Sequence, residues 1–176
     1  MSNSSVRKSF AVALCLGMLM LIVVGCSSPG TKATGSVSRV GESVVVDNLK
    51  FTVTGAEKAK QVGATGNTFS LQSGDYIVVD MQVENTGAKE AAFDGEMTSL
   101  YDAGKKVYAM DLEASASCCK KDTTQFNNVW FGTLQPGEKA TTKAVFEVPA
   151  GAKGLQVELR SANIGSDKTA LVALGI

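Results

Sequence analysis

Ile77, Val79, Met81 and Val83 alternate with Val78, Asp80, Gln82 and Glu84, and this period of two is the pattern that most narrows the folds open to the chain. Successive side chains of an extended strand face opposite ways, so one face of residues 76–84 must be buried. The strand ends at Asn85-Thr86-Gly87, where glycine admits a positive φ. The same grammar recurs along the sequence. After an extended stretch at Ser43 to Val46, Leu49, Phe51 and Val53 point one way while Lys50, Thr52 and Thr54 point the other. Leu100 and Tyr101 lead through Asp102-Ala103-Gly104-Lys105, a hairpin connection, into Val107, Tyr108 and Met110. The turn Gln135-Pro136-Gly137-Glu138 feeds Ala140, Thr142, Ala144, Phe146 and Val148, and Pro149 closes that strand because its ring cannot continue a central ladder. Leu155, Val157 and Leu159 make a further strand, and Leu171 to Ile176 a short last one. Helical stripes of period 3.6 are hard to find from Glu42 onward. The expected fold is all-β: an antiparallel, immunoglobulin-like sandwich of seven to nine strands over residues 42–176.

The first 25 residues have a different character. Arg7 and Lys8 precede an apolar run from Phe10 to Val24 that contains no acidic residue. The run is shorter than the roughly 20 residues a stable membrane-crossing helix needs, and it ends in small residues, as an export signal does. Its ending, Val23-Val24-Gly25-Cys26, resembles the bacterial lipobox, in which apolar and small residues precede an invariant cysteine. The resemblance implies cleavage before Cys26, a diacylglycerol on its sulfur, and an N-acyl chain on the new amino group. Two or three acyl chains anchor stably, since each buried methylene contributes about 0.8 kcal/mol. Arg7-Lys8-Ser9-Phe10 is only faintly similar to a twin-arginine signal, which favours the general secretory route. Residues 26–41, rich in Ser, Gly and Thr, read as a flexible tether. The expected address is the extracytoplasmic face of the cell membrane, with the membrane itself reached through the lipid.

Charge and composition remove several functions. The 17 basic residues are balanced by 17 acidic ones, and without Arg7 and Lys8 the remainder is slightly acidic, so no nucleic-acid partner is expected. The chain has no histidine, which excludes Ser-His-Asp and Cys-His hydrolases, HExxH proteases and His-ligated zinc. No GxSxG motif occurs, and Gly63-Ala64-Thr65-Gly66 lacks the lysine of a phosphate loop. The expectation is a non-enzymatic protein without a cofactor beyond the acyl groups on Cys26.

Four stretches carry a family resemblance: VGESVVVDNLKFTVTGAEKA at Val40 to Ala59, GDYIVVDMQVENTG at Gly74 to Gly87, LYDAGKKVY at Leu100 to Tyr108, and LQPGEKATTKAVFEVPAGAKGL at Leu134 to Leu155. They resemble a group of uncharacterised bacterial lipoproteins with a domain of unknown function. Its immunoglobulin-like sandwich is related to a secreted immunoprotective antigen. These are turn and strand signatures, so they imply a fold and no catalytic residues.

Two clusters remain as candidate chemistry. Of the four cysteines, Cys15 lies in the signal and Cys26 in the lipobox, which leaves the adjacent pair Cys118 and Cys119. Outside the cytoplasm such a pair can close as a vicinal disulfide, hold a soft metal as thiolates with Met110 nearby, or be two loop residues without a role. The second cluster is Phe126, Trp130 and Phe131. Neighbouring strand residues face opposite sides, so these aromatics either sit under a covering loop or present a binding patch. Asp94 with Glu96, and Asp111 with Glu113, lack the ligand spacing of a calcium loop and read as solvated strand edges. Lys105-Lys106 and Lys120-Lys121 read as solubilising loop charges. The resulting expectation is a lipid-anchored module that binds an envelope protein, peptide or glycan through sandwich loops or an edge. The alternative is metal or redox handling by Cys118-Cys119.

Overall fold

The computed structural model describes residues 36–64, 66–118, 131–161, 163 and 165–176. In chain order the strands are β1 (Val37–Arg39), β2 (Ser43–Val46), β3 (Leu49–Ala59), β4 (Gln61–Ala64), β5 (Asn67–Ser70), β6 (Asp75–Asn85), β7 (Ala91–Asp94), β8 (Thr98–Tyr101) and β9 (Val107–Ala109). The helix α1 (Leu112–Cys118) follows, then β10 (Phe131–Leu134), β11 (Lys139–Val148), β12 (Gln156–Arg160) and β13 (Thr169–Ala173). Among the described residues no helix is long and apolar enough to cross a membrane. The expected signal and Cys26 lie outside that range.

Two sheets face each other. One has the order β11-β6-β3-β2 and is antiparallel throughout. The other has the order β1-β13-β12-β8-β9 and is antiparallel except that β1 runs parallel to β13. Together they match the expected strand number, and the ribbons β7-β10 and β4-β5 are additional. The alternating residues fill the space between the sheets as expected. Phe51, Val53, Ile77, Val79, Met81, Val83, Ala144 and Phe146 meet Leu100, Val157, Leu159 and Val172, all without exposed surface. Each large apolar side chain buried this way contributes about 1.5–3 kcal/mol, so this layer is the main source of stability. Phe93 on β7 joins it, its ring centroid 5.6 Å from that of Phe51.

A second, smaller apolar cluster lies on the other side of the four-stranded sheet. Tyr76, Val78 and Val145 point away from the main core and are covered by Val62 and Ala114. This explains why Tyr76 to Val79 reads as an unbroken apolar run: that part of β6 is buried on both faces. The cover includes α1, which corrects the sequence reading of strand and loop there. Asp111 is not a solvated strand edge. Its Oδ1 accepts the Ala114 N–H at 2.9 Å and caps the helix. The helix start also closes the free edge of β11: Asp111 N–H donates to Val145 O at 2.8 Å, and Val145 N–H donates to Ser115 Oγ at 2.9 Å.

A second correction concerns the start of the domain. Residues 37–39 were expected within the tether, yet they pair with Leu171, Val172 and Ala173 of β13, and Ser38 has no exposed surface. Backbone pairing with β13 orders a segment whose own composition would leave it loose. The folded domain therefore includes residues upstream of 42.

Candidate binding site at the hairpin end

The registers define two ends of the sandwich. Arg39, Ala173, Gln156, Tyr101 and Val107 form one row across the five-stranded sheet, next to the β8–β9 hairpin. Strand β1 runs toward that row from the level of Leu171. The chain thus enters the domain from the opposite end, where the turn at Asp47 meets the loop that follows β12.

The hairpin is held by its own first residue. Asp102 O accepts Lys105 N–H at 2.9 Å, and Asp102 Oδ1 accepts Lys106 N–H at 3.0 Å. Its other carboxylate oxygen accepts the Tyr108 hydroxyl at 2.8 Å. That hydroxyl, seconded by the Lys106 N–H, holds the Asp102 carboxyl below its ordinary range. Burial, seconded by Asp102, holds the Tyr108 hydroxyl above its own. The Lys106 ammonium sits 5.1 Å from the Tyr108 ring centroid, a cation–π contact. Lys105, at φ 63°, takes the left-handed conformation.

On one side of this hairpin is an open groove of roughly 520 Å3, bounded by Leu71, Gly74, Lys106, Tyr108, Glu147 and Pro149. Gly74 makes the wall: at φ 85°, a Cβ there would lie 2.4 Å from the Val148 carbonyl oxygen. Lys60 fastens the same loop through the Gly74 carbonyl and, at 2.8 Å, Asp75 Oδ1. Its lining mixes apolar Leu71, Val148 and Pro149 with the Lys106 ammonium and the Glu147 carboxylate, which suits an extended polar chain with apolar side chains. On the hairpin's other side a hollow of roughly 340 Å3 opens on the outward face of the five-stranded sheet, and Tyr101, Asp102, Lys105, Gln156 and Glu158 line it.

The candidates expected from sequence lie elsewhere. Cys26, Cys119, Phe126 and Trp130 fall outside the described residues. Phe131 opens β10, opposite Asp94 of β7. Cys118 is the last residue of α1, half-buried against the smaller apolar cluster. Met110 packs against the main core instead, and its sulfur accepts the Thr98 hydroxyl at 3.6 Å. The four-stranded sheet separates the two clusters, so the soft-metal set imagined for Cys118 and Met110 is not brought together. Among the described residues no group of three or more Cys, Asp or Glu is placed to hold a metal. The sequence reading missed the two hollows. Its available signal was that two of the chain's three tyrosines, Tyr101 and Tyr108, bracket one hairpin.

A family model described as "Domain of unknown function (DUF4352)" matches residues 38–170. No curated protein matches the chain. Among solved structures, a conserved hypothetical protein from Bacillus anthracis superposes with a TM-score of 0.57 at 18% identity, covering 72% of this chain and 92% of that one. The secreted protein MPT63 from Mycobacterium tuberculosis gives 0.55 at 13% identity, covering 81% and 99%. A candidate lipoprotein, ycdA, from Bacillus subtilis gives 0.54 at 14% identity, covering 77% of this chain and 38% of that one. At these identities the likeness is one of fold.

Proposed function

The chain belongs to the DUF4352 family, and from that premise we propose that it is a lipid-anchored, extracytoplasmic module that binds an envelope partner without catalysing a reaction. The observation that carries this reading is the direction of β1. The chain enters the sandwich from the end opposite the groove, so an anchor at Cys26 would hold one end toward the membrane and leave the groove facing away. Support for the address comes from the basic start, the apolar run and Val23-Val24-Gly25-Cys26, and from structural neighbours that include a secreted protein and a candidate lipoprotein. Support for binding comes from a groove with a preformed wall at Gly74 and groups of both charges, Lys106 and Glu147, in its lining.

Two experiments test the two halves of the proposal. Cys26→Ala in cells, followed by fractionation, is expected to release the chain from the membrane; retention without acylation would overturn the anchor. A photo-crosslinking residue in place of Ser73, which lines the groove beside Gly74, is expected in the full chain to capture one discrete envelope protein or peptide. Lys106→Glu should reduce that yield about tenfold, the scale of a lost interface anchor. A crosslinking pattern unchanged by Lys106→Glu would remove the groove from the proposal.

A further inference from the structure

Tyr101 lies on the outward face of the five-stranded sheet. It stands opposite Gln156, while Ser99 stands opposite Glu158, and Leu171 lies beyond Glu158 on the same face. Its hydroxyl is fixed from two sides. It donates to Glu158 Oε2 at 3.1 Å and accepts from Arg160 Nη2 at 3.2 Å, while Arg160 Nε donates to the same Oε2 at 2.6 Å. Glu158 is the diagonal neighbour on β12, so the ring must reach across from β8 to β12. Ser99, outward-facing between them, is only 8% exposed.

We propose that this hollow is a saccharide site in which one uncharged sugar ring stacks on Tyr101. A sugar ring presents C–H groups on its faces and hydroxyls at its edge. The site presents the complement: a half-buried aromatic ring beside Leu171 and Ala103, rimmed by Gln156, Asp102 and Lys105. The tyrosine is already held, so binding orders little that was free. Charge selects the class of ligand. Asp102 and Glu158 in the lining are answered by Lys105 beside them and by Arg160, which donates to Glu158, so the formal charges around Tyr101 balance and favour neither an anion nor a cation. The volume of roughly 340 Å3 falls within the range of about 300–1,000 Å3 usual for small-ligand sites. This inference does not depend on what occupies the groove across the hairpin.

The test is calorimetric titration of the full chain in detergent with three neutral hexasaccharides, of α-1,4-glucose, β-1,4-glucose and β-1,4-N-acetylglucosamine. At least one is expected to bind saturably with a Kd at or below about 1 mM. Tyr101→Ala should weaken it at least about tenfold and Gln156→Ala several-fold, the loss of one stacking and one hydrogen-bonding group. Binding by none of the three, or equal binding by Tyr101→Ala, overturns the site. If circular dichroism shows that Tyr101→Ala does not fold, Gln156→Ala decides, and unchanged binding in that variant overturns it. Loss of groove crosslinking with sugar binding intact would leave this site standing and the two surfaces separate.

Discussion

Asn85 Nδ2 donates to the carbonyl oxygen of Leu134 at 2.8 Å, across 49 residues of sequence, at a position where Asn85 has no exposed surface. The same amide donates to Lys89 O at 2.7 Å, and its Oδ1 accepts the Gly87 N–H at 2.9 Å. One side chain thus joins the loop after β6 to the end of β10. Asn85→Ala would strand two carbonyls and is expected to cost about 3 kcal/mol in urea unfolding. Asn85→Asp keeps the shape but turns a donor into an acceptor facing those carbonyls. It should be at least as damaging, and an aspartate variant as stable as the parent would show that the bonds to Leu134 and Lys89 are not formed.

Ser115 Oγ accepts from Val145 N–H and donates to Asp111 O, so it serves the edge of β11 and the first turn of α1 together. Ser115→Ala leaves a buried N–H unpartnered and is expected to lower stability by about 1–2 kcal/mol. Hydrogen exchange should locate the effect, with the Val145 amide losing protection before the amides that β6 shares with β3.

Gly74→Ala is expected to destabilise the domain by about 2–3 kcal/mol, because the new methyl meets a backbone oxygen and the residue already has a left-handed φ. Gly66, also at positive φ but with nothing within 4 Å of a Cβ, provides the control. Its alanine variant carries the conformational cost without the collision and should melt at a higher temperature than Gly74→Ala.

Asp47 ties the β2–β3 turn to the loop after β12. Lys168 Nζ lies 2.7 Å from Oδ1, and Ser161 and Asn163 donate to Oδ2. Lys168 first, then Ser161, Ser166 and Asn163, hold its carboxyl well below the ordinary carboxylate range. A depressed pKa means that the stabilisation is complete above the unfolded-state value near pH 4 and fades as pH falls through the folded-state value. Asp47→Asn suits the residue's φ of 53° and removes the charge together with one of the two acceptor oxygens. The variant should be less stable than the parent at pH 7, and the gap should narrow steadily below pH 4. A gap that does not change with pH would assign the effect to shape.

The sandwich was legible because large apolar residues alternate with polar ones where only one face is buried, as in Phe51 and Val53 or Ala144 and Phe146. Helix α1 was not, because its buried residues are Ala114, Ser115 and Ser117, too small and polar to draw an apolar stripe. Contacts with Val145 and the β4–β5 ribbon specify it, among them Ser117 Oγ donating to Asn67 O at 2.8 Å. Strand β1 was hidden for a related reason: Ser38 is buried by its neighbours and nothing in its own chemistry announces it. At the candidate sites the hairpin could be read from Asp102-Ala103-Gly104-Lys105. The partners that fix Tyr101 could not, since Glu158 and Arg160 arrive from another strand 57 and 59 residues later.

The pairing of β1 with β13 joins the first and last strands of the domain side by side and in the same direction. Pulling the two ends of the folded chain apart along the strand axis would slide one strand past the other, loading their hydrogen bonds together instead of peeling them one by one. The join where the chain enters is therefore loaded in shear, the geometry in which a strand pair resists tension best.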